Sequence, residues 1–173
     1  MSDKLEQAGC RFKKKPDEGR MKGLAFVYDP DGYWVELVKR GDKASFTNDF
    51  NFSQTMLRVK DPAKSVAFYQ NLGMKVLSEK HFPPHFSLYF MGSSNIDDKV
   101  DTKDQFHPVL ELTHNHGTEN DDSFQHFNGN EEGKQGFGHI GFLVDDVYAA
   151  CDAIGKLGYG KYKTKPSFGF LFY

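Results

Sequence analysis

The most constraining feature of this chain is an internal repeat. A short apolar strand, an aspartate, an amphipathic helix pattern and a terminal glycine run from residue 54 to 73, and the same order recurs from 139 to 158. Gln54 stands seven residues before Asp61, and His139 stands seven before Asp146. Asp61-Pro62 puts a capping carboxylate just ahead of a proline whose fixed φ suits the first helical turn. Val66, Tyr69 and Leu72 then share one face, and Gly73 stops the helix. After Asp145-Asp146, the stripe Val147, Ala150, Cys151, Ile154 and Leu157 ends at Gly158. A repeat of this kind limits the fold to copies of one supersecondary unit packed together.

The rest of the unit follows from period-two patterning. MKVLSEKHF, HFSLYFMG and HPVLELTHN read as strands, so residues 54–115 spell β-α-β-β-β. In the last of them Val109, Glu111 and Thr113 share a face. Residues 23–38 read as a hairpin around Asp29-Pro30-Asp31-Gly32, with Trp34, Glu36 and Val38 on one side of its second strand. HIGFLV, residues 139–144, and GKYKTKP, residues 160–166, read as further strands. The opening LEQAGCRFKKKP parallels KLGYGKYKTKP at 156–166: helix end, glycine, basic strand, proline.

The expected architecture is therefore α+β, built of paired βαβββ modules in the order half, whole, half. Residues 1–40 are the second half of a module, 41–53 a connector, 54–135 a complete module, and 136–173 the first half of a following one. Either a circular permutation or a segment of a longer tandem protein gives that order. The overlap between head and tail favours the segment.

Composition narrows the function. The chain has 173 residues, 38% hydrophobic and 27% charged, enough to bury a core without cross-links. A formal net charge of −2 argues against a nucleic-acid surface. No apolar run approaches the ~18 residues of a membrane span, and MSDKLEQAGC has no apolar core of a secretory leader. Cys10 and Cys151 make neither a disulfide framework nor a CxxC zinc site, and are expected to be reduced thiols of a cytoplasmic protein. Seventeen Phe and eight Tyr suggest an aromatic-lined core or pocket. Residues 97–135 hold ten acidic residues against three Lys, read as a solvated loop. His114-Asn115-His116 reads as a turn.

The repeat also selects candidate chemistry. Gln54 and His139 occupy the same place on the first strands of their modules. Glu111 and Glu36 lie on last strands. Facing half-barrels would bring one amide, one imidazole and two carboxylates together, a set suited to a divalent cation with positions open to substrate. Taken singly, each residue has a plainer reading. Glu36 fits a surface position on an edge strand, His139 a structural histidine, and Gln54 carries no signal of its own.

The motifs QTMLRVKDPAKSVAFYQNLGMKVL, FSLYF, LELTHNHGTE, NGN followed by GFGHIGF, and KKPDEGRMKGLAFVYDPDGYWVEL together resemble the glyoxalase I family of the vicinal-oxygen-chelate fold. The likeness covers nearly the whole chain. It implies metal ligands at Gln54, Glu111, His139 and Glu36, with Glu36 and Glu111 catalytic. It implies glutathione contacts at Arg58, Asn115, Lys14, Arg20 and Met21, and an apolar pocket lined by Phe82, Phe86 and Leu88. Where the family usually carries an Arg before GFGHIG, this chain has Gln135, with Lys134 beside it. Lys lacks the bidentate fork of Arg.

The activity so implied is that of a lactoylglutathione lyase, a metal-dependent carbon–sulfur lyase. Its substrate is the hemithioacetal of methylglyoxal and glutathione, its product S-D-lactoylglutathione, and a proton moves between adjacent carbons through an enediolate. The implied cofactor is a divalent metal, zinc first and nickel or cobalt next, with glutathione as co-substrate. The implied partners are that small molecule and either a second copy or the remainder of a tandem chain, with no nucleic acid and no membrane. The competing readings are another enzyme of the same fold, such as an epimerase or ring-cleaving dioxygenase, and an incomplete, binding-only module. Gln54 with a single His139 argues against the first, since those enzymes commonly use a second His.

Overall fold

The computed structural model describes residues 2–19, 21–44, 50–97, 99, 101–104 and 107–158. The chain divides into two units, one formed by residues 1–53 with 97–107, the other by 54–96 with 108–173.

The first unit opens with a short helix, α1 (Ser2–Gln7), followed by β1 (Phe12–Lys14), β2 (Leu24–Tyr28) and β3 (Trp34–Val38). These strands form an antiparallel sheet in the order β1-β2-β3. The expected hairpin is present, with Phe26 opposite Glu36 and Tyr28 opposite Trp34. Its turn is tied by the Asp29 carboxylate, which accepts from the backbone N–H of Asp31 and Tyr33. Ala25 and Val27 are buried on one face of β2. On the other face, Phe26 meets Trp34 edge-on and the Lys13 ammonium lies over the Trp34 ring.

The second unit holds β4 (Gln54–Val59), α2 (Pro62–Asn71), β5 (Met74–Phe82), β6 (Phe86–Ser93), β7 (Val109–Asn115) and α3 (Val147–Leu157). This is the β-α-β-β-β order expected for residues 54–115. The sheet order is β4-β7-β6-β5, so the first strand pairs in parallel with the last and the others pair antiparallel. α2 is the crossover that carries the chain from β4 to the far edge. Both predicted caps form. Asp61 accepts from the N–H of Lys64, and Asp146 from those of Tyr148 and Ala149. Gly73 and Gly158, with φ of +83° and +70°, take the left-handed backbone that ends each helix without a Cβ clash.

One face of this sheet is its core. Val59, Met91, Leu110 and Leu112 are buried there, with Val66 and Tyr69 of α2 packed on them. Burying residues of this size contributes about 1.5–3 kcal/mol each. The opposite face carries the alternate residues of the same strands.

The structure differs from the sequence reading at three places. HIGFLV pairs with no strand among the described residues. Ile140 instead packs against the core, and Phe142 stacks on Tyr69 at 6.4 Å. Alternation shows that a segment suits a sheet, but a strand also needs a neighbour to bond. His114 and Asn115 belong to β7, as the strand reading of HPVLELTHN implies, which leaves only His116 of the expected three-residue turn: His114 is buried and its Nε2 lies 2.7 Å from the Glu119 carboxylate. The acidic segment is not all open loop, since Asp104 ties residue 43 by accepting from the Lys43 N–H. The strand expected at 160–166 lies outside the described residues.

Candidate functional site

Strand register decides which side chains of the second unit share a face. Gln54, Met56 and Arg58 pair with Val109, Glu111 and Thr113, and Asn115 continues the row on β7. Phe90, Leu88 and Phe86 on β6 stand opposite Glu111, Thr113 and Asn115. Phe82 on β5 stands opposite Phe86. Seven of the expected site residues, Gln54, Arg58, Phe82, Phe86, Leu88, Glu111 and Asn115, thus lie on one face, opposite the core.

Glu111 is the centre of that face. It is 8% exposed, rare for a carboxylate. The Gln54 amide donates to its Oε2 at 2.5 Å, and the Thr113 hydroxyl donates to its Oε1 at 3.1 Å. Burial pushes its pKa up, opposed by the Thr113 hydrogen bond and by the fields of Lys80 and Arg58. A carboxylate held in this way is stabilised by a nearby cation.

Next to it, Arg58 donates from Nη1 to the Asn115 amide oxygen at 3.0 Å. Both are exposed, so guanidinium and amide present donors together to solvent. At the other end, Phe82 and Phe86 stack with centroids 4.7 Å apart. The face therefore grades from polar on β4 and β7 to aromatic on β5 and β6.

The remaining expected residues lie elsewhere. His139 is exposed, one residue past Gly138, whose carbonyl accepts from the Asn130 amide at 2.7 Å. Beside it, Lys134 lies over the Phe127 ring and 3.6 Å from Glu131, and Gln135 is exposed. Glu36 is half-buried on β3 in the first unit. Lys14 has its ammonium on backbone carbonyls, 2.8 Å from Met21 O and 2.5 Å from Leu24 O, so it fastens the loop it was expected to serve. Met21 is exposed, and Arg20 lies outside the described residues. Among the described residues no group of three His, Cys, Asp or Glu side chains is gathered as a metal site. Sequence reasoning missed two participants. Thr113 is two residues from Glu111 on a strand, a readable signal. Lys80 becomes visible only through register.

A βαβββ module bearing a buried carboxylate and an amide on its open face defines a class. The family model described as the Glyoxalase/Bleomycin resistance protein/Dioxygenase superfamily matches residues 1–37 and 51–166, and the chain belongs to that superfamily. More particularly, it is 46% identical over 175 residues to a Saccharomyces cerevisiae protein named Glyoxalase I, covering 96% of this chain and 52% of that protein. It is 44% identical over 151 residues to a Schizosaccharomyces pombe protein named Lactoylglutathione lyase, covering 85% of this chain and 48% of that one. A Pseudomonas aeruginosa lactoylglutathione lyase is 45% identical over 123 residues, 66% of this chain and 69% of its own length. The chain spans about half the length of the two yeast relatives.

Proposed function

We propose that this chain is, or is part of, a lactoylglutathione lyase that isomerises the hemithioacetal of methylglyoxal and glutathione. The observation that carries the reading is the buried Glu111 joined to Gln54 on a face that also presents Arg58 and Asn115. The names of relatives at 44–46% identity support it.

The donor set fits a divalent cation. A carboxylate that burial makes costly to ionise, beside an amide, is a half-set of oxygen ligands. Gln54 and Glu111 would hold the metal, zinc by preference and nickel or cobalt as alternatives, and Glu36 and His139 complete the set on the strength of the repeat and the resemblance. When bound, the metal supplies Lewis-acid stabilisation of charge developing on the substrate oxygens. The chain's residues do the rest. Arg58 and Asn115 hold a glutathione carboxylate by charge-assisted hydrogen bonds. Phe82, Phe86 and Leu88 exclude water around the carbon substituent. By the resemblance, Glu36 is the base that takes the proton from one carbon and returns it to the next, and Glu111 is the second catalytic carboxylate. The reading includes a cytoplasmic location, where glutathione is reduced; no helix among the described residues is long and apolar enough to cross a membrane.

The test is the rise in ultraviolet absorbance of the thioester from methylglyoxal and glutathione, with chelator and with each metal restored. Metal-dependent thioester formation is expected. The competing outcome is a binding-only module. Glutathione-conjugate binding without turnover under any metal would establish it instead.

A further inference from the structure

The aromatic half of the site face is not uniformly apolar. One row crosses the sheet from edge to edge: Arg58 opposite Thr113, Thr113 opposite Leu88, and Leu88 opposite Lys80. Strands lie about 4.8 Å apart, so the two cations stand at the two edges, about 14 Å apart at the backbone. Arg58 is engaged with Asn115 on the polar side. Lys80 lies on the aromatic side, two residues from Phe82 and with its ammonium 5.2 Å above the centre of the Phe90 ring. Its stem covers apolar surface while its charged end stays exposed. Among the described residues no carboxylate stands within ion-pair distance of that ammonium. Its field nevertheless reaches Glu111, so charge on Lys80 acts across the open face.

A pocket lined by Phe82, Phe86, Leu88 and Phe90 alone would favour a hydrocarbon substituent on the substrate aldehyde. A cation over one of those rings changes the preference. We propose that Lys80 is a specificity-determining residue of the lyase site, which selects 2-oxoaldehyde adducts whose carbon substituent carries an anionic group over purely hydrocarbon ones.

This rests on the reading of the chain as a glutathione-adduct site, so the experiment separates the two. S-benzylglutathione and S-(4-carboxybenzyl)glutathione differ only by a para carboxylate at the aromatic end. Calorimetric titration of the metal-loaded chain measures both without requiring turnover. The wild type is expected to bind the carboxylate form about fivefold more tightly, the scale of an exposed ion pair. Lys80→Met is expected to erase or invert that ratio, and Lys80→Arg to keep it. Lys80 is exposed on an edge strand, so neither change threatens the core. The kinetic counterpart is kcat/KM for the glutathione adducts of 4-carboxyphenylglyoxal and phenylglyoxal, whose ratio should fall by the same factor in Lys80→Met. An equal ratio in wild type and Lys80→Met overturns the proposal and leaves the lyase reading standing. A wild-type chain that binds neither conjugate overturns both.

Discussion

Gln54 and Glu111, fifty-seven positions apart in the chain, meet on neighbouring parallel strands with amide nitrogen and carboxylate oxygen 2.5 Å apart. α2 makes this possible, because a parallel pair needs a crossover long enough to return the chain to the same end of the sheet. The pair joins the first and last strands of the module at the centre of its open face.

Replacing Glu111 by Gln separates its ligand role from its structural cost. Burial raises its folded pKa above the unfolded value, so the folded state holds the proton more tightly. Without metal, wild-type stability is undiminished below the ordinary carboxylate range and falls as pH rises through the raised folded value. Glu111→Gln removes that loss. In chelator, its melting temperature is expected to equal the wild type's at pH 4 and exceed it at pH 8. Added zinc is expected to reverse the order at pH 8, stabilising the wild type alone. Thermal denaturation with and without chelator measures both. A variant less stable than wild type at every pH would contradict the argument.

Arg58 and Asn115 act as a unit. Losing a hydrogen bond from a charged donor costs about 1.5–3 kcal/mol. Arg58→Ala is expected to raise KM for the hemithioacetal at least about tenfold, with little change in kcat. Because the two side chains touch at 3.0 Å, adding Asn115→Ala should cost less than the two single effects combined. Additive effects in a double-mutant cycle would show that they bind separate groups.

Asp61 secures the crossover helix. Its carboxylate accepts from the N–H of Lys64, which lowers its pKa. Asp61→Ala is expected to lower stability by about 1 kcal/mol. A depressed folded pKa gives stability present above the unfolded pKa and lost as pH falls through the folded one. The variant's deficit should therefore shrink in acid, a trend that urea titrations at pH 7 and pH 3 would show directly.

The Lys14 ammonium sits on the backbone carbonyls of Met21 and Leu24. Lys14→Met is expected to loosen the loop between β1 and β2 and speed proteolytic cleavage there several-fold, with β2 and β3 left paired. Unchanged cleavage would mean that the loop holds without this contact.

Much of this was legible in the residues themselves. The aspartate caps, the terminal glycines, the Asp-Pro-Asp-Gly hairpin and the period-two strands are local devices, and local devices act through near neighbours in the chain. The repeat was equally legible, with Gln54 seven residues before one helix cap at Asp61 and His139 seven before the other at Asp146. Which residues touch is a different matter. The order β4-β7-β6-β5 and its register bring Gln54 to Glu111 and carry Lys80 onto the aromatic face. It also left HIGFLV unpaired among the described residues. Periodicity gives each strand two faces, but only pairing between distant segments decides what those faces meet.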